Sequence, residues 1–490
     1  MTRIVVVGAG PAGIAAACRA AESGAMVTLL DGEPYPGGGI WRHSIDYSVP
    51  RPVRNSKEAK NMREKTKISN GARKAKRWFN RLDKVGVSLR TSETVVDITG
   101  RSVQVQREQG GLDSIAFDKL ILATGAHELF LPFPGWTLPN VMGVGGTQAL
   151  LKAGMPVNPA SPRGGVKRLR VVVGGSGPLL FAVAASLAKA GAKIVCVAEQ
   201  TSGMQLAKFA LGTLRYQPAK MVQGMGYMLQ YFPAPYWPNT WIKEARGDSQ
   251  VREVILTNGK RQWIEPADLV ACAYGLVPSV ELAALAGCKL SVARPAWPCF
   301  HGLEARDTIG NRLVVDHLQR TFKETADYTD YAEKIKNKKL KSVKSAKSMV
   351  NNRIFAAGEI TGIGGTDLAI TEGEIAGLTA AGKDKKAARL IARRERQQKF
   401  ARLLNQSFAL KPHLKQLPAD DTIVCRCEDV TFGELKNQAD QRSAKLYTRC
   451  GMGPCQGRVC SSALQYLLDW EPNKVRPPLF PTKIGDFISK

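Results

Sequence analysis

The sequence predicts an α/β protein with two nested dinucleotide-binding units, Rossmann-like in plan, followed by a small cysteine-bearing module. Three observations carry that prediction. IVVVGAGPAG, residues 4–13, places a glycine turn directly after an apolar strand. VVVGGSGPLL, residues 171–180, repeats the pattern far downstream. VCRCEDV and TRCGMGPCQGRVC then gather five of the ten cysteines after position 420.

With 490 residues the chain is too long for one compact core and suits several domains. Hydrophobic residues make up 44% and charged residues 23%, the balance of ordinary globular proteins, which argues against global disorder. No run approaches the roughly 18 uninterrupted apolar residues of a membrane span, and the first strand starts at Arg3 without a charged leader or signal segment. A cytoplasmic protein without a transmembrane segment is expected, with attachment at the periphery of the inner membrane left open. The net charge of +28 is concentrated in residues 51–77, 334–347 and 383–402. No zinc-finger spacing, helix-turn-helix pattern or aromatic-interleaved basic strand accompanies it, so no nucleic-acid partner is expected. Solvated faces and docking to an acidic partner account for the charge.

Residues 3–31 parse as strand, glycine turn, helix and strand. Gly8 permits the tight turn, Gly10 lets a pyrophosphate approach the backbone, and Gly13 lets the helix pack closely on the strand. The helix opens at Pro11 and Ala12, and its N-terminus faces the phosphates of an ADP-containing nucleotide. Asp31, ending the second strand, stands where a ribose-binding carboxylate belongs. GEPYPGGGIWRHS follows, in which Gly37, Gly38 and Gly39 make a second flexible loop beside the same nucleotide.

Residues 168–199 repeat strand, turn, helix and strand, ending at Glu199. Leu180 stands at the third glycine position, and Ala182 and Ala185 are the small residues that could compensate in the helix packing. No CxxC is present in this unit or after the first turn, so a dithiol receiving electrons from a nicotinamide is not expected. A nicotinamide-binding fold and a purely structural one both remain open. The Met- and aromatic-rich stretch 204–247 reads as core or as a subunit contact.

Free cysteines at 18, 196, 272, 288 and 299 read as small buried hydrophobes. Cys425 and Cys427 lie one residue apart, and Cys455 and Cys460 flank QGRV in a glycine-rich loop. Two paired thiolate sets suit zinc or a [2Fe-2S] cluster. The Cys-x-Cys spacing and the surrounding glycines favour the cluster.

The loop after Asp31 resembles the flavin branch of the dinucleotide-binding proteins, as do DKLILATGA (118–126) and NRIFAAGEITGIGGTDLAITEGEIAG (352–377). That resemblance implies FAD, with Thr124 and Gly125 near the nucleotide and Gly358 and Glu359 at the flavin ribityl chain. The cysteine module resembles the bacterioferritin-associated ferredoxin type. The full ordered set GAGPAG, PGGGIWR, ATGAHE, GGSGPLL, AYGLVPSVELAALAGC, AAGEITGIGG, CRCEDV and TRCGMGPCQGRVC covers nearly the whole chain. It resembles the α subunit of the heteromeric flavoprotein amino-acid dehydrogenases, a group that includes hydrogen cyanide synthase and the opine, D-hydroxyproline and dye-linked L-proline dehydrogenases. The resemblance implies cluster ligands at Cys425, Cys427, Cys455 and Cys460, with Cys450 a spare thiol or alternative ligand. It also implies a catalytic β subunit, FAD-dependent and D-amino-acid-oxidase-like, an FMN shared at the contact, room for a small third subunit, and electrons leaving to a quinone-like acceptor. This chain would then carry no catalytic acid or base of its own. The alternative is a self-contained NAD(P)H-dependent reductase.

The expected organisation is a discontinuous FAD-type domain (1–127 and 350–382) with a nested second domain (128–300). A return segment with a lysine-rich insertion (301–349), a basic linker helix (383–420), the [2Fe-2S] domain (421–475) and a tail (476–490) complete the chain.

Overall fold

A computed structural model of the chain describes residues 1–41, 70–153, 166–288, 290–293, 310–313, 320–322, 350–471 and 475–488. Of the lysine-rich insertion 322–349 only Phe322 is described, and Cys299 and residues 51–69 of the basic run 51–77 lie outside the described residues.

The apolar run Ile4–Val7 forces a strand buried on both faces, as parallel sheets require. It forms β1 (Arg3–Val7), which pairs in parallel with β2 (Met26–Leu30) on one side and with the strand Lys119–Leu122 on the other. The six-stranded sheet continues from Lys119–Leu122 to Val350–Ala356 and the antiparallel edge Arg320–Phe322, and from β2 to Ser88–Arg90. The chain thus leaves this sheet and returns to it beside Lys119–Leu122, so the second unit is nested inside the first.

The helix α1 (Pro11–Glu22) lies against the long helix Thr366–Ala380. Gly373 and Gly377, one turn apart, face Ala12 and Ala16, and a Cβ at either glycine would overlap the carbonyl oxygen opposite. Small residues on both helices therefore set the close approach, and they account for the GEIAG text.

The second sheet is wholly parallel, in the order 236–238, 193–199, 170–175, 269–273, 141–143. Leu180 is fully buried in a core with Val144, Val171 and Val173, so side-chain packing rather than close backbone approach seats the helix Leu179–Lys189. The stretch 204–247 begins as two helices, Gly203–Tyr216 and Pro218–Tyr231, whose apolar side chains are largely exposed rather than core. The basic linker forms Asp384–Ala388 and Ile391–Ser407.

The cysteine module pairs Ile423–Cys425 with Val430–Thr431 and adds three short helices, Phe432–Leu435, Gln441–Thr448 and Cys460–Leu467. Thr431 and Glu434 form a capping box and Asp440 caps the next helix. The last helix is buried on two sides. Cys460 and Leu464 face the module's own core, whereas Ala463, Tyr466 and Leu467 join Leu131, Phe133 and Trp136 of the second unit. Among the described residues no helix is long and apolar enough to cross a membrane.

Candidate functional site

The first glycine turn is built by backbone crowding. Gly8 has φ +101°, and a Cβ there would overlap the Ala123 carbonyl; one at Gly13 would overlap the carbonyl of Gly8. Gly10 differs, because no described residue lies within 4 Å of where its Cβ would stand. Among the described residues no side chain caps α1, so its N-terminal dipole and first N–H groups, at Ala12 and Gly13 after Pro11, open onto that space.

Residues far apart in sequence converge here. Asp31 accepts hydrogen bonds from the N–H groups of Ala9 (2.6 Å) and Glu33 (2.9 Å) and keeps part of its surface exposed. Gly37 N–H donates to the Ala9 carbonyl at 2.7 Å, and Gly38, at φ +56°, packs against the Gly10 Cα. Gly39 has open space at its Cβ position. Thr124 Oγ1 donates to the Ser279 carbonyl (2.6 Å), while the Gly125 carbonyl accepts from Ser279 N–H (3.0 Å). Gly358, at φ +86°, abuts the Ala12 side chain and donates its N–H to Glu372 at 3.1 Å. Glu359 accepts from Gly365 N–H at 3.0 Å. Burial pushes its carboxyl up to about 7, the Gly365 N–H opposing and the Glu372 charge reinforcing. An open glycine, an uncapped helix N-terminus and a strand-end carboxylate form a cradle that fits the ADP half of a dinucleotide.

The second turn has the same backbone and a different outcome. Gly175, at φ +140°, crowds the Ala273 carbonyl as Gly8 crowds Ala123. Yet Gly177, the counterpart of Gly10, faces the Phe408 ring, whose Cγ would lie 3.9 Å from its Cβ. Ser176 Oγ donates to the Phe408 carbonyl (2.9 Å), and Gln200 Nε2 donates to Ser176 Oγ (2.9 Å) and to the Ala409 carbonyl (3.1 Å). Glu199, the counterpart of Asp31, is 0% exposed and accepts from Gly177 N–H (2.8 Å) and Thr201 N–H (2.9 Å). Burial pushes it up to about 7 against those two hydrogen bonds. The end of the linker helix thus covers the second turn. Sequence reasoning missed Ser176, Gln200 and Phe408, which no local signal marks.

In the cysteine module the sulfurs of Cys425, Cys450 and Cys460 are buried and lie within 4.8 Å of one another. Cys427, exposed, and Cys455, half-buried, hydrogen-bond to each other. Hydrogen bonds from Cys450 and Cys460 pull the Cys425 thiol down to about 2, and donating to Cys425 pushes Cys450 up to about 12. Gly451 N–H points at Cys425 Sγ (3.5 Å), and a Cβ at Gly453 would overlap that of Cys427. An all-sulfur donor set with the Gly451 N–H beside it is compatible with an iron–sulfur cluster. Cys450, expected as a spare thiol or an alternative ligand, stands inside the buried group with Cys425 and Cys460.

His127 follows the Thr124–Gly125 turn and bridges both sites. Its Nδ1 lies 3.4 Å from Ser279 Oγ, and its Nε2 lies 3.4 Å from Ser462 Oγ on the helix that starts at Cys460. Burial lowers its pKa, with Glu281 opposing and Arg458 reinforcing.

Residues 2–294 match the family model described as pyridine nucleotide-disulphide oxidoreductase. Over nearly its full length the chain is similar to hydrogen cyanide synthase subunit HcnB of Pseudomonas aeruginosa. The two are 28% identical over 485 residues, covering 94% of this chain and 90% of that protein. An opine oxidase subunit of Agrobacterium tumefaciens is 28% identical over 501 residues, covering 97% and 87%. Among solved structures, L-proline dehydrogenase from P. horikoshii shares the fold, with a TM-score of 0.62 and 17% identity over 99% of this chain and 79% of that one. The first two are of the group that the ordered motifs resemble.

Proposed function

Because the chain belongs to the pyridine nucleotide-disulphide oxidoreductase family, an oxidoreductase family that implies FAD binding, we propose that it is the electron-transferring subunit of a heteromeric flavin-dependent dehydrogenase. The substrate is an amino acid, imino acid or opine, oxidised at its C–N bond on a partner catalytic subunit that carries its own FAD. An FMN lies at the contact of the two subunits, and a quinone-like molecule accepts the electrons. The relatives named as subunits of hydrogen cyanide synthase and of opine oxidase support this reading.

When bound, FAD and a [2Fe-2S] cluster supply a two-electron and a one-electron carrier. Gly8, Gly10, Pro11, Ala12, Gly13 and Asp31 would hold the nucleotide, with Gly38, Gly39, Thr124, Gly125, Gly358 and Glu359 around it. Cys425, Cys427, Cys455 and Cys460 would hold the cluster. His127 ties the nucleotide turn to the cluster helix through Ser279 and Ser462, which fixes their separation.

One observation carries the choice over a self-contained NAD(P)H reductase: Phe408 lies over Gly177, where a nicotinamide dinucleotide would need its pyrophosphate against the backbone. Gly10 at the first turn has no such cover among the described residues. The test is anaerobic visible absorbance of the native complex during additions of NADH, NADPH, proline, hydroxyproline, glycine and opines. Bleaching of flavin and cluster bands by one of the amino-acid-type compounds, with both nicotinamides inert, is expected. Fast bleaching of the isolated chain by NADH or NADPH overturns the proposal.

A further inference from the structure

The helical hairpin Gly203–Tyr216 and Pro218–Tyr231 packs inward through few residues. Phe209 meets Phe400 and Phe408, Gly212 fits against Leu403, and Thr213 and Tyr231 are buried. The outward faces carry apolar side chains at helical spacing. Met204 and Leu211 stand on the first helix, and Val222, Met225, Leu229 and Phe232 run along and just past the second. These six are between 60% and 78% exposed. With their apolar neighbours they present on the order of 1,000 Å² of accessible surface, against about 800 Å² per partner in a standard interface.

The surroundings select the occupant. From Gln200 to Lys243 the chain has no Asp or Glu, whereas Lys208, Arg215, Lys220 and Lys243 are exposed. A second copy would bring like charges together. Exposed Gln205, Gln223 and Gln230 stand among the apolar residues; each donates one hydrogen bond within the chain, to the Gln406 carbonyl, the Tyr227 hydroxyl and the Gly226 carbonyl, and a bilayer would leave the rest of each amide unpaired. A protein surface satisfies them, and the flexible Met204, Met225 and Met228 adapt to its contour. Lys220 also lies 3.9 Å from Asp367, in the first turn of the helix that follows Glu359, so the face adjoins the first nucleotide site.

We infer that the outward face of this hairpin is the docking surface for the partner catalytic subunit, through an apolar patch rimmed by carboxylates on that partner. The inference rests on the proposed function. It is tested on the native complex, with the catalytic subunit identified by its flavin absorbance and amine-dependent dye reduction. The triple variant Leu211→Glu, Val222→Glu, Leu229→Glu is compared with the unaltered chain, and hydrogen exchange is read in the free and complexed states of the latter. The expected result is protection of 203–232 in the complex and at least a ~10-fold rise in the variant's Kd for the catalytic subunit, with its own flavin and iron retained. Unchanged Kd together with equal exchange in both states overturns the docking surface alone. Sedimentation of the unaltered chain, but not the variant, with phosphatidylglycerol vesicles assigns the face to a bilayer and overturns it. So does a homodimer that the substitutions dissociate. If no catalytic subunit co-purifies and NADH bleaches the isolated chain, both the docking surface and the proposed function fall.

Discussion

Gly10 and Gly13 sit three residues apart and fail in different ways. Gly10 has φ −74° and open space beside it, so Gly10→Val should leave stability within about 0.5–1 kcal/mol while obstructing the phosphate approach. Gly13→Ala drives a methyl group into the Gly8 carbonyl, and about 2–4 kcal/mol of stability should be lost with the nucleotide. Urea denaturation with flavin content separates the two. Gly13 was legible in the sequence because a close backbone approach leaves no room for a side chain, and Gly10 because the spacing of the turn marks where a phosphate approaches the backbone. The burial of Glu199 was not, because it depends on a segment more than two hundred residues later. Its carboxyl, held up near 7 by burial, binds a proton more tightly in the folded chain than the ordinary value of about 4.3 allows in the unfolded one. That contribution is complete below the unfolded value and is lost as pH rises through 7. About 1 kcal/mol should therefore disappear between pH 6 and pH 8, and Glu199→Gln should flatten that part of the denaturation profile. Among the cysteines, Cys460→Ser should abolish the visible iron–sulfur bands and Cys450→Ser should keep them, with iron content as the check. Spacing alone could not show that Cys450 turns inward beside Cys425 and Cys460.

At the scale of elements, strand, turn and helix were readable wherever glycine and apolar runs alternate, and the return of Val350–Ala356 beside Lys119–Leu122 follows from the AAGE motif. Two placements were not readable. The Met-rich stripe has helical spacing, which says that one face is apolar and leaves open whether the chain itself covers it. The linker helix Ile391–Ser407 carries a broad basic surface, so its sequence does not announce that its end lies on Ser176 and Gly177. The pairing of α1 with Thr366–Ala380 is the most exacting of these contacts. Gly377→Ala would set a methyl group into the Ala16 carbonyl and push the helices apart. It should cost about 2–4 kcal/mol, and the displaced helix should carry Glu359 and Gly358 away from Ala12. Loss of bound flavin at a denaturant concentration that leaves the second unit folded is the expected signature.

Across the whole molecule, the cysteine module is held from both sides. Tyr466 OH donates to the Lys411 carbonyl at 2.6 Å, Trp136 Nε1 donates to the Ile423 carbonyl, and Tyr466 and Leu467 share a core with Leu131 and Phe133. The C-terminal segment then crosses to the first unit. Arg458 lies over the Phe480 ring, Leu479 N–H donates to the Val96 carbonyl at 2.8 Å, and Asp486 accepts from Gly111 N–H at 2.7 Å and from Gln106 at 2.9 Å. The module is therefore packed on the second unit and linked through the C-terminal segment to the first, the one that would hold the nucleotide, rather than tethered at the end of a linker. Cluster removal should then be felt beyond its own residues, because the helix Cys460–Leu467 carries a cysteine on one face and the second unit's core contacts on the other. Treating the anaerobic protein with a chelator under reducing conditions should lower the calorimetric transition of the second unit along with that of the module. It should also raise hydrogen exchange in Leu269–Ala273, whose Val270 and Cys272 belong to the shared core. Loss of the module's protection with Leu269–Ala273 unchanged would mean that the two cores unfold independently, and this packing would have no mechanical part in fixing the distance between the two sites.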